Sequence, residues 1–512
     1  MPGANTTIPL PTNRRATRAI VLAIIAFAVC SLVAGFSSHG LLEADAVSHY
    51  QAARYALNQP YYFVDVWARP LCTGIFAVPA WIAGMRGAQC MSLLLAISCA
   101  LVAWRLAKGQ NFPHPELALI FTLGQPLLFL HSFSILTELP FALVMGLALL
   151  AYQKKRWTLM ALLVAIGPLG RPEGFALLVP VAVALICHRK YWHLLLLPLG
   201  LIVWSIAGSL IDPPIHAHWW NWLSLHWPYE SGSEYSKGPL LHFLAVLPML
   251  VGPFALPAMW IGAWLSLRGA SIARVCADHI KRVDILIAAI RLTILAGHSI
   301  LHWRGLMSSN GELRYLLIAA PIWGVLSARG WQWVFDRLHW RQSVAWAALA
   351  LVSAGMVNFC YRVIPLPQYE DWSAAQRVAD WYAHSSLHDR YPLLLCKHPG
   401  VFMSMDIIPS DPRRVEPWSQ TAIAHPADGV LLVWDPIYSV FNSDPRAVVK
   451  LSSVLQNGWI DEPDLHMNLA LPGDVSQPPE KRWHIFLSPH DAYGNLSDHV
   501  RVSGDSASRR SK

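Results

Sequence analysis

Two carboxylates stand two residues apart where the first apolar stretch of the chain ends. The apolar run from 19 to 36 is followed by LLEADAVSHYQAAR, which contains Glu43 and Asp45. On a regular helix, side chains at i and i+2 diverge by about 200°, so these two groups cannot share one proton. One can accept a proton from a hydroxyl group while the other caps backbone N–H groups or pairs with an arginine. The alternative is a solvated helix end.

Arginines and further carboxylates recur at the ends of later apolar stretches. A guanidinium group at a membrane edge suits bidentate binding of phosphate better than an ammonium group does. Charged groups near hydrocarbon normally face a cavity or one another, so we expect a shared site. The alternatives are arginines that extend to lipid headgroups, surface ion pairs, and a carboxylate that complements a helix dipole. The residues are Arg69, Glu138, Arg171, Glu173, Glu312 and Arg314.

Histidines in HAHWWNWLSLHW (216–227) have a spacing that a metal site could use. The tryptophans interleaved with them fit an interfacial aromatic belt instead, and the eight cysteines have no C-x-x-C spacing. We therefore expect no metal and no other cofactor. The formal charge of +8 comes from short clusters between apolar runs. Such clusters are typical of membrane topology, which argues against nucleic acid as a partner.

The elements that would position these residues are membrane spans. With 512 residues, 54% hydrophobic and 14% charged, and a mean hydropathy of +0.38, the chain is typical of a polytopic membrane protein. We predict an all-α membrane fold with about eleven transmembrane helices, since apolar runs of nearly membrane-spanning length recur. The predicted spans are 18–38, 88–106, 114–132, 139–153, 157–169, 174–187, 192–210, 239–267, 283–303, 314–328 and 342–361.

Cations are distributed unequally between alternate loops. Seventeen fall on the side of the N-terminus and seven on the opposite side before the C-terminal region, so the positive-inside rule places the N-terminus in the cytoplasm. The segment 71–85 is short and broken by Pro79, and counting it as a span would place later cation clusters outside. We therefore expect it to lie along the outer interface or to be re-entrant.

The chain divides by composition into three parts. Residues 1–362 form the predicted transmembrane domain. Residues 363–493 are predicted to form a small soluble α/β domain outside the membrane, with a helix at 371–387 and buried strands at 392–396, 429–435 and 484–488. The Ser- and Arg-rich tail 494–512 is predicted to be disordered.

The order of these motifs resembles that of the GT-C superfamily of polytopic glycosyltransferases, such as mannosyltransferases and aminoarabinose transferases that use polyprenyl-phosphate-linked sugars. Glu43-Ala44-Asp45 is similar to the acidic pair of the first outer loop in that superfamily, followed by Tyr50, Gln51 and Arg54. SILTELPF resembles the second outer loop, GRPEG an Arg-Pro motif, and GELRYLL an HKE-x-RF motif. His-Pro is absent before the acidic pair, and the second outer loop lacks an Asp-x-Asp/Glu pair, which favours a reaction without metal.

The resemblance implies a GT-C-like fold and an inverting transfer of a sugar from a polyprenyl-phosphate carrier to an acceptor hydroxyl on the extracytoplasmic face. Asp45, or Glu43, would be the base, and Arg171, Arg314 and Arg69 would bind the donor phosphate. Glu138, Glu173 and Glu312 would support them. The apolar spans and the 71–85 helix would bind the prenyl chain among the membrane lipids.

Several questions stay open at the level of sequence. The sugar is open between mannose, arabinose, glucose and galactose, and the acceptor between a glycan, a lipid and a protein. A bacterial inner membrane is the expected location. A transporter or flippase of lipid-linked saccharides, or a non-catalytic assembly protein, is the alternative function. Within the predicted span 283–303, no motif explains Arg291, and Asp284, two turns away on the same face, is its candidate partner if the helix is straight.

Overall fold

A computed structural model describes residues 14–38, 44–213, 218–228, 237–268, 278–339, 350, 355, 362–440, 448–461 and 478–495. The chain divides into two compact units, residues 1–366 and 367–512. In its described part, the first unit is built from helices, and the second combines helices with a four-stranded sheet.

The helices of the first unit follow the apolar runs of the sequence. Short 3₁₀ helices at Pro60–Phe63, Tyr191–Leu196, Trp219–Asn221 and Leu313–Ala319 connect or extend them. The α-helices are α1 Arg14–Ser37, α2 Ala44–Tyr55, α3 Pro70–Gly109, α4 Glu116–Leu123, α5 Pro126–His131, α6 Glu138–Gln153, α7 Trp157–Ala165, α8 Gly167–Gly170, α9 Glu173–Cys187, α10 Leu199–Ile211, α11 Trp222–Leu225, α12 His242–Ala245, α13 Leu247–Val251, α14 Ala255–Leu267, α15 His279–Arg304 and α16 Ala320–Leu338.

Helices capable of crossing a membrane are present in the described part of this unit. Four are long and apolar enough, namely Thr17–Ser37, Pro70–Gly109, Tyr191–Ile211 and His279–Arg304. Shorter apolar helices occupy Glu138–Gln153, Trp157–Gly170, Glu173–Cys187 and Ala255–Leu267. The number of spans stays a prediction, because most of the predicted span 342–361 lies outside the described residues.

Several predicted spans are divided into shorter helices, and two of them show the physical reason. The apolar run 114–132 forms α4 and α5, which are separated before Pro126 because proline has no N–H to continue a helix. The run 239–267 forms α12, α13 and α14, and the chain turns before α14 at Gly252, whose φ of 95° is accessible mainly to glycine. Apolar composition marks these runs as membrane-embedded but does not reveal the breaks inside them.

A kink divides α3 into two helices. Ala83 and Gly84 have non-helical dihedral angles, and the φ of Gly84 is 57°. The first half corresponds to the predicted segment 71–85 and the second half to the predicted span 88–106. The interruption therefore separates the apolar run 71–85 from the following span, as expected from the sequence.

The two ends of this first half contact Thr137 and Gly35, respectively. Near its start, the Cys72 sulfur lies 3.9 Å from the carbonyl oxygen of Thr137. Just after its end, Arg86 Nη1 donates to the carbonyl oxygen of Gly35, 3.0 Å away. Gly35 packs against Phe133, four residues before Thr137. These contacts bring both ends of the segment near the chain between α5 and α6, and its placement along an interface stays a prediction.

The candidate pair of Asp284 and Arg291 does not form. Asp284 binds Arg329 of α16 at 2.7 Å, whereas the Arg291 guanidinium lies 6.0 Å from the ring centre of Trp260. Residues seven apart on a helix are separated by about 10 Å along its axis, so a side chain from a neighbouring helix is closer. The predicted span 314–328 ends one residue before Arg329, but α16 continues to Leu338.

The second unit is built on a sheet of strand order β1-β2-β4-β3, in which β1 and β2 are parallel and the other pairs antiparallel. Alternate residues of β1 and β2 enter hydrophobic clusters on opposite faces, which explains why these strands are continuous apolar runs. The strands are Leu393–Cys396, Val430–Trp434, Ile460–Asp461 and His484–Leu487; the helices are α17 Glu370–His384, α18 Leu387–Arg390, α19 Pro399–Ser404, α20 Gln420–Ala424 and α21 Leu451–Gln456.

Of the predicted tail 494–512, all but the first two residues lie outside the described part of the chain. The sheet's β3 was not predicted, because two residues leave no periodic pattern in a sequence.

Candidate active site

A cavity of about 420 Å³ lies in the first unit, where the polar ends of several helices meet. One part of its wall is charged and the other is apolar. The charged part includes Asp45, Arg69, Arg171, Glu173, Glu312 and Arg314.

Six of the eight site residues proposed from sequence therefore share one cavity. Glu138 lies behind its wall with a fully buried side chain and contacts two of the arginines. Glu43 lies outside the described residues. Arg54, which follows the acidic pair in the sequence, does not line the cavity. It donates to the carbonyl oxygens of Ala80 and Trp81 and so connects α2 to α3.

Arg314 joins two carboxylates that are far apart in sequence. Its Nη2 donates to Asp45 at 2.6 Å, and its Nε donates to Glu312. Its Nε also lies 3.9 Å from Glu138 Oε1. The 3₁₀ helix Leu313–Ala319 presents Arg314 to the start of α2, where Asp45 stands in the first turn.

Arg171 lies between α8 and α9 and contacts three side chains. Nη1 donates to Thr137 and Glu138, each at 2.6 Å, while Nε and Nη2 donate to Glu173. Glu138 and Glu173 both stand in the first turns of helices, where the helix dipole favours a carboxylate. The extended conformation of Arg171, with φ of −159°, turns its side chain toward them.

The two arginines differ in the hydrogen-bonding capacity that they retain. A guanidinium group has five N–H donors. Arg171 directs four of them to Thr137, Glu138 and Glu173, whereas Arg314 directs two to Asp45 and Glu312. Among the described residues, Arg314 thus retains three donors without an acceptor and Arg171 retains one.

Arg69 completes the set of guanidinium groups at the cavity. It is buried, its Nη1 donates to the carbonyl oxygen of Val66 at 2.9 Å, and it precedes the first turn of α3. Its φ of 66° lies in the left-handed region that non-glycine residues rarely adopt. Burial lowers the pKa of Arg69 to about 10, so it stays protonated at neutral pH.

The charge states of the α2 side chains follow from their surroundings. Burial alone would raise the pKa of Asp45, but the positive charge and hydrogen bond of Arg314 outweigh burial and hold this pKa below its usual value. Burial lowers the pKa of His49 to about 4. At neutral pH, Asp45 is therefore a carboxylate and His49 a neutral imidazole.

Among the cavity residues that sequence reasoning missed are His49, Trp67, His298 and Tyr315. His49 stands one helical turn after Asp45, and Tyr315 directly follows Arg314, so their spacing could have identified both. His298 lies in an apolar helix, where a histidine resembles any buried core residue. The Tyr315 ring stacks on His298 and lies within 5.9 Å of both the Arg171 and Arg314 guanidinium carbons.

The apolar part of the cavity lies between α9 and α15. Phe175, Ala176 and Leu177 form one side, and Ile294, Gly297 and Leu301 form the other. A side chain at Gly297 would meet no protein atom within 4 Å, so open space adjoins it. The cavity thus combines a cluster of charged groups with a lipid-compatible wall.

The histidines of the 216–227 segment take other partners. His226 Nε2 lies 3.0 Å from the Asp212 carboxylate, and its ring stacks on Trp222. His216 lies outside the described residues. Within the described part of the chain, no three His, Cys, Asp or Glu side chains are grouped as a metal site requires.

Comparison with solved structures identifies the fold. The chain is similar to ArnT from Cupriavidus metallidurans in the apo state, with a TM-score of 0.56, 12% identity, and coverage of 92% of this chain and 98% of that chain. For ArnT bound to undecaprenyl phosphate the TM-score is 0.58, the identity 13%, and the coverage the same. No protein-family model and no curated protein matches the sequence. The chain therefore has the fold of ArnT and is a multi-pass membrane protein, which confirms the expected helical membrane fold at this level.

Proposed function

We propose that this protein is a glycosyltransferase that moves a sugar from a polyprenyl-phosphate carrier to an acceptor hydroxyl. The observation that carries the proposal is the cavity in which Arg314 and Asp45 meet beside an apolar wall. A lipid-linked sugar phosphate needs these three features, namely an anion site, a base, and a surface for a hydrocarbon chain. The fold is shared with a protein solved in complex with undecaprenyl phosphate.

Arg314 is the principal phosphate ligand in this proposal. Its three uncommitted N–H donors allow it to bind phosphate oxygens while it keeps Glu312. Arg69 and Arg171 add positive charge at the same wall. As the phosphate departs, its growing negative charge is stabilised by donors that are already in place.

Asp45 is the base. Its side chain is 36% exposed and lines the cavity, so an acceptor hydroxyl can reach it. In the free protein, the Arg314 guanidinium group lowers the proton affinity of Asp45. A bound phosphate competes with Asp45 for this guanidinium group, so the proton affinity of Asp45 rises. Donor binding therefore makes Asp45 a better base. Asp45 then takes the hydroxyl proton, the acceptor oxygen bonds to the sugar C1, and the C1–O bond breaks with its electron pair on the phosphate. This single displacement inverts C1. Glu43 remains the second candidate for this role.

The reaction needs no metal in this proposal, because positive charge is supplied by arginines. Each acidic side chain described at the cluster already pairs with a guanidinium group: Asp45 and Glu312 with Arg314, Glu173 with Arg171, and Glu138 with Arg171. Glu138, Glu173 and Glu312 thus support the arginines, and no cofactor is required.

The cavity would face the extracytoplasmic side of a bacterial inner membrane, with the N-terminus in the cytoplasm and the C-terminal domain outside. The distribution of cations between alternate loops supports this orientation. In labelling of intact cells, a cysteine at position 173 should react from outside and one at position 155 only after the membrane is opened. The reverse pattern would contradict the orientation.

The prenyl chain would lie along the apolar wall between α9 and α15. This location is more specific than the groove along 71–85 expected from sequence. Gly297→Leu should extend into the open space beside that wall, because an added Cβ meets no protein atom within 4 Å, and leucine also favours a helix more than glycine does. We expect binding of polyprenyl phosphate to weaken at least about 10-fold, which corresponds to about 1.4 kcal/mol.

Gly74→Leu is the matched control, because Gly74 is also a helical glycine with no neighbour within 4 Å of an added Cβ, but it does not line the cavity. Its affinity for polyprenyl phosphate should change less than about twofold. The opposite result, loss in Gly74→Leu and none in Gly297→Leu, would place the chain along the 71–85 helix. Normal binding by both variants would contradict the proposed lipid site.

A further inference from the structure

His298 connects helix α15 to the proposed phosphate site. It lies near the end of α15, is buried, and lines the cavity. Its Nε2 is 3.3 Å from Glu173 Oε1, the same oxygen that accepts from Arg171 Nη2 at 2.8 Å. His298 and Arg171 thus share one carboxylate oxygen.

The carboxylates of the cluster outnumber its guanidinium groups by one. Four carboxylates face three guanidinium groups, so a phosphate would enter a site with an excess of acidic groups. The cost is high because the surroundings are apolar. The acidic residues are Asp45, Glu138, Glu173 and Glu312, and the basic residues are Arg69, Arg171 and Arg314.

A proton on His298 would offset the excess of carboxylates and would also free donors of Arg171. An imidazolium at this position forms an ion pair with Glu173, which adds one positive charge to the cluster. It also takes Glu173 from Arg171, so that Nε and Nη2 of Arg171 become donors for phosphate. Thr137 and Glu138 continue to hold Nη1 of Arg171 in place.

We propose that binding of the donor phosphate is coupled to uptake of one proton from solvent by His298, which transfers Glu173 from Arg171 to His298. His298 is therefore a positioning residue that acts on the phosphate through Arg171. This inference rests on the proposed function, since it requires a phosphate ligand at the cavity.

The groups around His298 leave Glu173 as its direct anionic partner. Tyr315 stacks on one face of the ring at 5.1 Å, and the Phe243 ring of α12 lies 5.7 Å away. His49 is a weaker candidate for the same proton, because burial lowers its pKa to about 4. The titratable and charged groups on the surrounding elements are Arg171 and Glu173, Arg314 and Tyr315, His242 of α12, and His302 on α15 itself.

The test is calorimetry of the full-length protein in nanodiscs, titrated with a short-chain polyprenyl phosphate at pH 8. Comparing buffers with different ionisation enthalpies gives the number of protons taken up per bound phosphate. We expect about one proton for the wild type. His298→Gln should reduce the number to near zero, since glutamine keeps an N–H donor for Glu173 but cannot gain charge. His49→Gln should retain the uptake.

Binding without proton uptake in the wild type would overturn the inference, and this measurement needs no variant to fold. Uptake that persists in His298→Gln would overturn it too, because the proton would then reside on the phosphate or on another residue. If the wild type fails to bind polyprenyl phosphate at all, the proposed function itself fails. The two failures are therefore distinguishable.

Discussion

Two clusters of arginine and carboxylate lie in the same helical unit and differ in what surrounds them. At the cavity, Arg171 and Arg314 meet several acids beside open space. In the second cluster, Arg329 donates to Asp284, Gln110 and Ser266. Asp284 and His298 both belong to α15 and lie about 21 Å apart along its axis.

The second cluster connects several helices through side-chain hydrogen bonds. Arg329 of α16 reaches Asp284 of α15, Ser266 of α14 and Gln110 at the end of α3, and Lys281 adds a second cation 3.7 Å from Asp284. None of these residues lines the cavity. In the second cluster, two cationic side chains surround one carboxylate. The cavity has more carboxylates than guanidinium groups, and Arg314 there has N–H donors without an acceptor among the described residues. Open space and unused donors, rather than the presence of an ion pair, mark the cluster suited to bind a ligand.

The largest effect is expected from Asp45→Asn at the cavity. Asparagine keeps the size and much of the hydrogen bonding of Asp45 but cannot accept the hydroxyl proton. Turnover should fall by roughly 10²–10⁴ while polyprenyl-phosphate binding survives. Steady-state kinetics of Asp45→Asn and Glu43→Gln decide between the two acids. Loss of transfer in Glu43→Gln alone would assign the base to Glu43.

Arg329→Ala should affect stability instead of binding. Removing one partner of a buried ion pair typically costs about 3–5 kcal/mol. Here the cost should fall toward the lower end of that range, because Lys281 remains 3.7 Å from Asp284. Thermal unfolding in detergent should show the loss, and the folded fraction should bind polyprenyl phosphate with wild-type affinity. Reduced affinity in a correctly folded variant would mean that the two clusters are not functionally separate.

The same substitution at the cavity, Arg314→Ala, should produce the opposite pattern. Charge-assisted hydrogen bonds contribute about 1.5–3 kcal/mol, so the affinity for polyprenyl phosphate should drop roughly 10- to 100-fold. Stability should change less than in Arg329→Ala, because Asp45 and Glu312 remain partly exposed. Arg314→Lys should recover only part of the affinity, since it lacks the guanidinium fork. Unchanged affinity in Arg314→Ala would remove it as the phosphate ligand.

The sequence could predict most of the cavity cluster because of a simple physical constraint. Charged side chains at the ends of apolar helices must avoid hydrocarbon, so those at one end of a bundle tend to converge. Asp45, Arg171, Glu173 and Arg314 follow this rule, although they are spread over 270 residues of the chain.

Other features depended on tertiary packing that no local pattern encodes. Asp284 pairs with Arg329 instead of Arg291 because α15 and α16 both pack against α14, which brings the Asp284 and Arg329 side chains together. His298 gains its significance from Glu173, which is 125 positions earlier in the chain. The breaks before Pro126 and at Gly252 divide runs that are uniformly apolar.

Transfer of label from a lipid carrier tests the central claim most directly. Purified protein in liposomes would be given polyprenyl-phosphate-linked mannose, glucose, galactose and arabinose, each radiolabelled in the sugar, and the lipid carrier would be separated from the products. We predict that the wild type releases at least one sugar from its carrier, to an acceptor or to water, and that Asp45→Asn does not. Intact carriers for all four sugars, with label moved across the bilayer, would contradict an enzyme and indicate a transporter.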